Sequence, residues 1–218
     1  MTTLEVIGRF HGLYSGGLAQ EKRDSGDATA MPPWAETYWL GKQVVKCPMD
    51  LWVYQEILWE TQPDVLLETG TSGAGSAFFF ASIFDRIGKG RVVTVDTEYY
   101  PHLRIDHPRI KYLTGSSINP QIVAQMCSEA EGKVMVSLDS LHTYEHVKAE
   151  LDAYGSLVTT GCYLVVEDTG WGPPGDQRAW ACDAAAEFLR EHPEFVADEK
   201  CEKHLLTSNR GGWLKREP

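Results

Sequence analysis

The chain has 218 residues, of which 43% are hydrophobic and 23% are charged, a composition typical of one globular domain and unlike that of a disordered chain or a collagen. Its 31 acidic and 20 basic residues give a net charge of −11. A surface of that sign repels phosphate backbones, so we do not expect nucleic acid as a partner. No apolar run reaches the length of a membrane span, and residues 1–10 lack the apolar block of a signal peptide, so we expect a cytoplasmic protein without membrane contacts.

The five cysteines are scattered along the chain and form no Cys-x-x-Cys pair. An odd number at irregular spacing is not typical of a disulfide framework or of a zinc ribbon, and we expect neither. They are Cys47, Cys127, Cys162, Cys182 and Cys201.

The first 45 residues differ from the rest in pattern. Gly16-Gly17 and Pro32-Pro33 interrupt them and apolar periodicity is poor, which predicts a loop-rich arm or lid over residues 1–45, in front of one domain over residues 46–218. The aromatic residues of this segment indicate that it packs on the core, on a second subunit or on a substrate; they include Trp34, Tyr38 and Trp39.

From Asp50 onward, helical and strand-like segments alternate. Asp50 is a plausible N-cap for a helix that Pro63 ends. Short apolar runs predict strands, and amphipathic runs predict helices between them. The predicted strands are 65–67, 91–95, 110–113, 134–138 and 163–166, and the later helices are 76–87, 120–130, 147–154 and 180–190. Residues 205–214 are predicted to form a hairpin.

This alternation predicts an α/β fold with a mostly parallel, doubly wound sheet covered by helices on both faces, plus a C-terminal antiparallel hairpin. That arrangement resembles the Rossmann-like fold of class I methyltransferases. A plain dinucleotide-binding Rossmann domain is the competing interpretation. In either fold, ligands bind beyond the carboxyl ends of the strands, so the residues that follow each strand are the candidates for chemistry.

A glycine-rich loop follows the first strand. Gly70, Gly73 and Gly75 are spaced G-x-x-G-x-G, which is neither the dinucleotide fingerprint nor a P-loop. Glu68 precedes the loop, and its carboxylate would repel a pyrophosphate but suit a cationic ligand. S-adenosylmethionine, with an amino group and a sulfonium, is such a ligand.

The second and third strands end in residues that suit a nucleoside. Asp96 ends the second strand, where a carboxylate can accept hydrogen bonds from both hydroxyls of a ribose. A purely turn-forming Asp96 is the alternative. Ser116 and Ser117 follow the third strand, where they could contact an adenine edge.

Three carboxylates follow the fourth and fifth strands. Asp139 follows one strand, Glu167 and Asp168 the next, and the ends of neighbouring parallel strands lie about 4.8 Å apart. No basic residue is adjacent to them in the sequence. A hard divalent ion, Mg²⁺ or Ca²⁺, would relieve their repulsion. Solvated loop acids without a metal are the alternative.

Two histidines lie just beyond the fourth strand. His142 stands three residues after Asp139, where a neutral imidazole could take a proton from a metal-activated hydroxyl. A surface histidine that caps the following helix is the alternative. His146, one helical turn further on, is expected to be a surface residue turned away from the site.

Together these motifs resemble the cephalosporin hydroxylase (CmcI-like) family, over about residues 40–218. The likeness is carried by residues 46–75, by Gly-Ser-Ser at 115–117, by residues 138–147 and by residues 165–169. Despite its name, this family looks like a group of S-adenosylmethionine-dependent, Mg²⁺-binding O-methyltransferases of secondary metabolism, acting on sugars and antibiotic precursors.

The resemblance implies cofactor binding at Glu68, Gly70, Ser76 and Asp96, and metal binding at Asp139, Glu167 and Asp168. The layout is also similar to that of catechol O-methyltransferases, where an Asp-x-x-Lys supplies the base. In this chain His142 stands at the lysine position, and an acidic pair stands where those enzymes have Asp-Asn.

Alternative functions remain open at this point. They are a nicotinamide-dependent oxidoreductase, a literal hydroxylase of antibiotic biosynthesis and a non-catalytic ligand-binding module.

The acceptor of an O-methyltransferase would be a small hydroxylated molecule held by loops 14–39, 99–107 and 171–180, whose aromatics offer a flat apolar wall. These aromatic residues are Trp34, Tyr99, Trp171 and Trp180. The arm and the family likeness favour a homo-oligomer.

Overall fold

The computed structural model describes residues 2–98, 100–170 and 180–218 and contains a seven-stranded mixed sheet and a separate two-stranded one. The helices are α1 (Thr3–Gly12), α2 (Leu18–Asp24), α3 (Pro48–Thr61), α4 (Gly75–Ile87), α5 (Pro120–Glu129), α6 (Tyr144–Tyr154) and α7 (Ala181–Glu191). The strands are β1 (Tyr38–Trp39), β2 (Lys42–Gln43), β3 (Val65–Thr69), β4 (Arg91–Asp96), β5 (Ile110–Thr114), β6 (Val134–Leu138), β7 (Tyr163–Val166), β8 (Phe195–Ala197) and β9 (Trp213–Arg216).

The large sheet has the strand order β5-β4-β3-β6-β7-β9-β8. Strands β3 to β7 are parallel, and β9 runs antiparallel between β7 and β8. The chain therefore starts at the centre of the sheet, extends it in one direction to β5, and then in the other from β6. This confirms the predicted doubly wound α/β fold with a C-terminal antiparallel hairpin, and it puts the topological switch point between β3 and β6.

Alternation within the strands divides the core between the two faces of the sheet. Val65 and Leu67 pack with the buried faces of α5, α6 and α7. Leu66 points the other way and packs with α3 and α4. All residues of β3 are buried, as expected for a parallel strand that is covered on both faces.

The hairpin differs from the prediction in its first strand. Phe195–Ala197 pairs with Trp213–Arg216, whereas Leu205, expected in the hairpin, is half exposed and has a left-handed backbone with φ +65°. A leucine in that conformation cannot continue a strand.

Helix α3 begins before the expected cap. Cys47 is its N-cap and Pro48 its first residue, a position that suits the fixed φ of proline. Asp50 lies inside the first turn, is 1% exposed and accepts a hydrogen bond from the Ser208 backbone N–H at 2.8 Å. The prediction of Asp50 as N-cap was wrong, and the residue ties α3 to the loop before β9.

The expectation of a loop-rich arm was also wrong for residues 3–24, which form α1, a π-helical turn at Leu13–Gly17 and α2. Thr2 and Glu5 form a reciprocal capping box at the start of α1, a signal that the sequence carries. Ile7 and Tyr14 of this segment are buried, so it packs on the rest of the chain.

The arm ends in the small β1–β2 hairpin, which lies on α4. The Trp39 indole donates a hydrogen bond to Ser82 Oγ at 2.8 Å. A Cβ built on Gly75 would lie 2.0 Å from the Gln43 carbonyl oxygen, so the backbone that follows β2 rests directly on the first residue of α4.

Two further findings bear on the sequence expectations. All five cysteines are free thiols. In the part of the chain that the structure describes, no helix combines the length and the apolar character needed to cross a bilayer.

Candidate active site

The carboxyl ends of the parallel strands meet along one edge of the sheet. Gly70 follows β3, Asp96 ends β4, Gly115 follows β5, Asp139 follows β6 and Asp168 lies just after β7. Because the strands are in register, these residues from distant parts of the chain face the crevice at the switch point.

A first cavity of about 520 Å³ opens above β3, β4 and β5, a volume ordinary for a small-molecule site. None of the described residues that line it is a lysine or an arginine, whereas it contains two carboxylates, Asp96 and Asp139. The lining residues are Gly70, Ser72, Val95, Asp96, Thr97, Gly115, Ser116, Ser117, Asp139, Ser140, Leu141 and His146.

Asp96 holds the glycine loop as well as lining this cavity. Its Oδ2 accepts a hydrogen bond from the Ser72 backbone N–H at 2.7 Å, and its Oδ1 accepts one from the Glu98 backbone N–H at 3.1 Å. Oδ1 also accepts a hydrogen bond from the Thr97 hydroxyl at 3.4 Å. Oδ2 can accept a further hydrogen bond, so Asp96 remains able to bind a ligand hydroxyl.

Ser117 and His146 lie together in the same cavity. Ser117 Oγ and His146 Nε2 are 3.1 Å apart, and His146 Nε2 is 3.5 Å from Glu150 Oε1. The expectation that His146 turns away to the surface was wrong: its side chain is only 14% exposed. The first turn of α6 faces the β5 end of the crevice, which the helical spacing alone does not reveal.

Glu68 does not line any of the described cavities. It is fully buried, and within the described residues neither carboxylate oxygen makes a hydrogen bond. Burial raises its pKa, although the Lys46 charge and the nearby Ser76 and Thr94 hydroxyls oppose the shift. Strand alternation explains the placement, because Glu68 shares a face with Leu66 and points beneath the edge rather than out of it.

Ser76, in the first turn of α4, lines a smaller cavity beside the glycine loop, of about 140 Å³. Gly70 lines both this cavity and the first one. The predicted cofactor residues are therefore divided: Gly70, Asp96 and Ser117 share the first cavity, Ser76 lies at its margin and Glu68 is beneath it.

A candidate cation site lies next to the first cavity. Asp139, His142 and Asp168 each offer one ligand atom, and these atoms lie within 4.8 Å of one another. His142 Nε2 is 3.8 Å from Asp139 Oδ1 and 3.4 Å from Asp168 Oδ2. The sequence thus correctly placed these three side chains at one point.

Asp168 adopts a left-handed backbone with φ +58°, which is uncommon for a residue with a side chain. Its N–H donates a hydrogen bond to Asn209 Oδ1 at 3.0 Å. Strained conformations of this kind persist where the surrounding structure holds them, and they cluster at functional sites.

Glu167 is buried below this cluster and is already hydrogen-bonded. Lys46 Nζ donates to its Oε1 at 2.7 Å, Asn209 Nδ2 donates to its Oε2 at 3.1 Å, and the Tyr54 hydroxyl also donates to Oε1. Glu167 also lines a cavity of about 200 Å³ that contains Asp139 and Asp168. Its assignment as a metal ligand stays a prediction, because ligation would compete with these donors.

Lys46 is the functional residue that sequence reasoning missed. Its ammonium lies 2.7 Å from Asp139 Oδ2 and 2.7 Å from Glu167 Oε1. Burial alone would lower the pKa of Lys46, but these two carboxylates raise it above its ordinary value. Lys46 is 93 and 121 residues from its partners in the chain, and no local motif marks it.

The pKa values of Asp139 and Glu167 are shifted in opposite directions. Burial and the charges of Glu167 and Asp168 raise the pKa of Asp139 well above its usual range, against the effect of Lys46. The pKa of Glu167 is lowered: burial opposes ionisation, but the Lys46 ammonium and the hydroxyl of Tyr54 outweigh it. Asp139 and Glu167 thus share the Lys46 ammonium as a common ion-pair partner.

The cavities adjoin one another. The 200 Å³ cavity shares Gly70, Ser72 and Asp139 with the first cavity. On its other side it shares Lys46 and Asp168, among others, with a further cavity of about 300 Å³ under the arm. That cavity is lined by Tyr14, Trp34, Val45, Lys46, Cys47, Asp168 and Ser208. Of the other aromatics expected near an acceptor, Tyr99 and Trp171 lie outside the described residues.

The sequence profile described as Rhamnosyl O-methyltransferase/CmcI matches residues 32–217. The chain belongs to this family. The match confirms the resemblance drawn from the motifs, and it covers the predicted domain together with the last part of the arm.

Sequence relatives and a solved structure agree with this assignment. A rhamnosyl O-methyltransferase of Mycobacterium leprae (strain TN) is 38% identical over 197 residues, covering 84% of this chain and 85% of the relative. One of Mycobacterium tuberculosis (strain H37Rv) is 39% identical over 143 residues, which are 62% of this chain but only 58% of the relative's length. A structure of CmcI with Mg and SAM superposes with a TM-score of 0.66 at 18% identity, over 91% of this chain and 84% of the other. At that identity the likeness establishes the fold.

Proposed function

We propose that this protein is an S-adenosylmethionine-dependent O-methyltransferase, assisted by a divalent metal, that acts on a hydroxyl of a small natural product or sugar. The observation that carries the proposal is the row of three adjoining cavities. The first suits a nucleoside-containing donor, the middle one contains the cation cluster, and the last lies under the aromatic arm.

The first cavity fits a cationic adenosyl donor better than a dinucleotide. Its two carboxylates would repel a diphosphate, and no described lining residue could neutralise one. Asp96 is the candidate for the ribose hydroxyls, Gly70 for close backbone approach and Ser117 for the adenine edge, while Ser76 lies at the margin. Glu68 lies beneath the cavity and does not line it.

The side chains of the cation cluster also fit a divalent metal ion. Asp139 and Asp168 supply hard oxygen donors. Burial, and after it the Glu167 and Asp168 charges, raises the pKa of Asp139, and a bound cation would favour its ionised form. Mg²⁺ prefers oxygen ligands in octahedral geometry. We therefore assign Asp139 and Asp168 as ligands, Glu167 as a third candidate and His142 as the base rather than a ligand.

When bound, the donor supplies the methyl group and the metal lowers the pKa of the acceptor hydroxyl. In this scheme His142 Nε2 would accept the proton of that hydroxyl, because it lies 3.8 Å from Asp139 Oδ1 and 3.4 Å from Asp168 Oδ2, beside both candidate metal ligands. The glycine loop and Asp96 orient the donor toward the middle cavity. Holding both reactants in one geometry accounts for a large part of the expected acceleration.

We place the acceptor in the 300 Å³ cavity under the arm. Its walls include the aromatic side chains of Tyr14 and Trp34, and Asp168 joins it to the cation cluster. Aromatic faces suit a sugar or another ring, and the relatives named above are rhamnosyl O-methyltransferases. Antibiotic biosynthesis or a related branch of secondary metabolism is the proposed context.

A nicotinamide-dependent oxidoreductase is the weaker candidate, since the cavity lacks a described basic residue for a diphosphate. A hydroxylase dependent on 2-oxoglutarate would need a metal site with a second histidine, yet His146 faces Ser117 rather than the cluster. The homo-oligomeric state and the cytoplasmic location stay predictions.

Isothermal calorimetry and thermal shift test the proposal directly. S-adenosylhomocysteine should bind and stabilise the protein, while NAD⁺ and 2-oxoglutarate should not. Methyl transfer to a panel of deoxysugar glycosides and phenols should require Mg²⁺ and cease in EDTA. Stabilisation by NAD⁺ alone would overturn the assignment.

A further inference from the structure

Lys46 is a buried lysine at the centre of the candidate site, only 5% exposed. It follows the arm and immediately precedes α3, and its backbone carbonyl accepts a hydrogen bond from the Tyr14 hydroxyl at 3.3 Å. Its ammonium bridges the residues that follow β6 and β7, contacting Asp139 and Glu167 at 2.7 Å each. No step of the proposed mechanism uses Lys46.

The charge balance around this lysine is uneven. Three buried or partly buried carboxylates influence it, those of Asp139, Glu167 and Glu68. Their single close cation among the described residues is Lys46. Buried carboxylates without a partner are strongly destabilising, because the charges have left water without compensation. Without the ammonium, Asp139 and Glu167 would each lose a contact of 2.7 Å to a cation.

Asp139 divides its two oxygens between two roles. Oδ2 accepts from Lys46, whereas Oδ1 lies 3.8 Å from His142 Nε2 on the side of the cation cluster. An ion held by Asp139 would thus share one carboxylate with the ammonium. Like charges on one carboxylate repel each other strongly in a partly desolvated site.

We propose that Lys46 is the internal counter-cation of the site: it balances Asp139 and Glu167 in the metal-free protein and limits how tightly a divalent ion is held. Lys46 is a positioning residue, since it acts on the ligands and not on the substrates. The second half of this inference rests on the proposed metal site, while the first half stands without it.

The test compares Lys46→Met, which keeps the length and removes the charge, with Lys46→Arg, which keeps the charge. Lys89→Met is the matched control, because Lys89 forms an exposed ion pair with Asp64 at 2.7 Å next to the opposite ends of the strands. The melting temperature is measured in EDTA and in MgCl₂, and the Kd for Mg²⁺ by calorimetry.

We expect Lys46→Met to melt lower than wild type in EDTA and to recover with Mg²⁺, with a Kd for Mg²⁺ at least about tenfold tighter. Lys46→Arg and Lys89→Met should keep the wild-type Kd. An unchanged or weaker Kd in a folded Lys46→Met protein overturns the limit on metal affinity, and an unchanged melting temperature in EDTA overturns the charge-balance role.

A second variant covers the case in which Lys46→Met does not fold. Lys46→Met combined with Asp139→Asn and Glu167→Gln removes the ammonium together with both carboxylates that it contacts, so it should fold in EDTA. If this triple variant also fails while Lys46→Arg folds, charge balance is not the role of Lys46. If wild type binds no Mg²⁺, the proposed metal site fails, yet the measurements in EDTA still decide the role of Lys46.

Discussion

The backbone carbonyl oxygen of Asp139 occupies the space that a side chain on Gly70 would need. A Cβ built on Gly70 would lie 1.8 Å from that oxygen, and Gly70 has φ +87°. The glycine loop after β3 and the acidic turn after β6 are thus packed backbone against backbone at the topological switch point. The first cavity and the candidate cation site meet at this backbone contact.

Gly70→Ala should therefore destabilise the protein by about 3 kcal/mol or more, as a sum of left-handed strain and overpacking. Gly161→Ala is the matched control, since Gly161 has φ +83° and a Cβ built on it would meet nothing within 4 Å, so it should lose only the strain of about 1 kcal/mol. Urea denaturation measures the free energy of unfolding of both variants. Equal losses of stability would contradict the close contact between Gly70 and the Asp139 carbonyl oxygen.

Asp96→Ala should weaken binding of S-adenosylhomocysteine by about 1.5–3 kcal/mol for each lost hydrogen bond to the ribose. Because Asp96 also accepts from the Ser72 N–H, Asp96→Asn is the informative companion: it keeps an acceptor for the loop. Asp106→Ala, on the exposed loop after β4, serves as the control. Calorimetry that gives the same Kd for all of them would remove Asp96 from the ribose site.

Asp139→Asn and Asp168→Asn should each abolish the stimulation of methyl transfer by Mg²⁺. Each removes one charged oxygen donor from the cluster. Asp152→Asn is the control, because Asp152 is exposed on α6. Activity is titrated against Mg²⁺ and then measured in EDTA. Wild-type activity that survives excess EDTA would contradict metal assistance altogether.

His142→Ala should lower turnover about a hundredfold, at the lower end for a general base, since in the proposed mechanism the metal would already acidify the hydroxyl. Affinity for S-adenosylhomocysteine should be unchanged. His142→Lys should recover part of the loss, because the similar catechol enzymes have lysine at this place. Single-turnover rates against pH decide between the variants.

His146→Ala is the comparison variant for His142→Ala, four residues further along the chain. It lines the first cavity beside Ser117, so its loss should weaken donor binding and leave single-turnover rates at saturating donor near wild type. If His142→Ala keeps the wild-type rate and pH profile, the imidazole of His142 is not the base.

Asp50 should make stability depend on pH. Burial raises its pKa to about 7, against the hydrogen bonds from Thr207 and Ser208. An unfolded aspartate titrates near 4, so between about pH 4 and 7 the folded state binds the extra proton and the free energy of unfolding falls as pH rises, by up to about 4 kcal/mol. Asp50→Asn should flatten this part of the curve in chemical denaturation, and Asp152→Asn should not.

The sheet could be predicted because its signals are local. The predicted runs 65–67 and 134–138 are short, largely apolar and buried on both faces, and each is followed by a carboxylate, that of Glu68 or Asp139. Once a parallel sheet is inferred, its geometry brings Asp96, Asp139 and Asp168 to one edge without further information.

The errors concern side-chain direction and distant contacts. Glu68 was expected in the cavity, but whether a residue near a strand end points out of the edge or under it depends on strand alternation and on where the strand stops. The helices of the arm were missed because Gly16-Gly17 was interpreted as the mark of a loop. The chain does kink there, since Gly16 has non-helical backbone angles, but a helix lies on each side of the kink. Lys46 was missed because folding alone brings it to Asp139 and Glu167, which are 93 and 121 residues away in the chain.

The centre of the sheet contains a polar stripe: Thr94, Glu68 and Ser137 lie side by side on β4, β3 and β6, and the Tyr54 hydroxyl lies 2.8 Å from Ser137 Oγ. These residues are all fully buried. Apolar side chains of similar size in such positions are often neutral or stabilising. The stripe keeps one carboxylate, that of Glu68, buried beneath the crevice, where burial raises its pKa. A thermostabilised descendant obtained by filling this stripe with valine and leucine would be expected to melt later and to methylate less well.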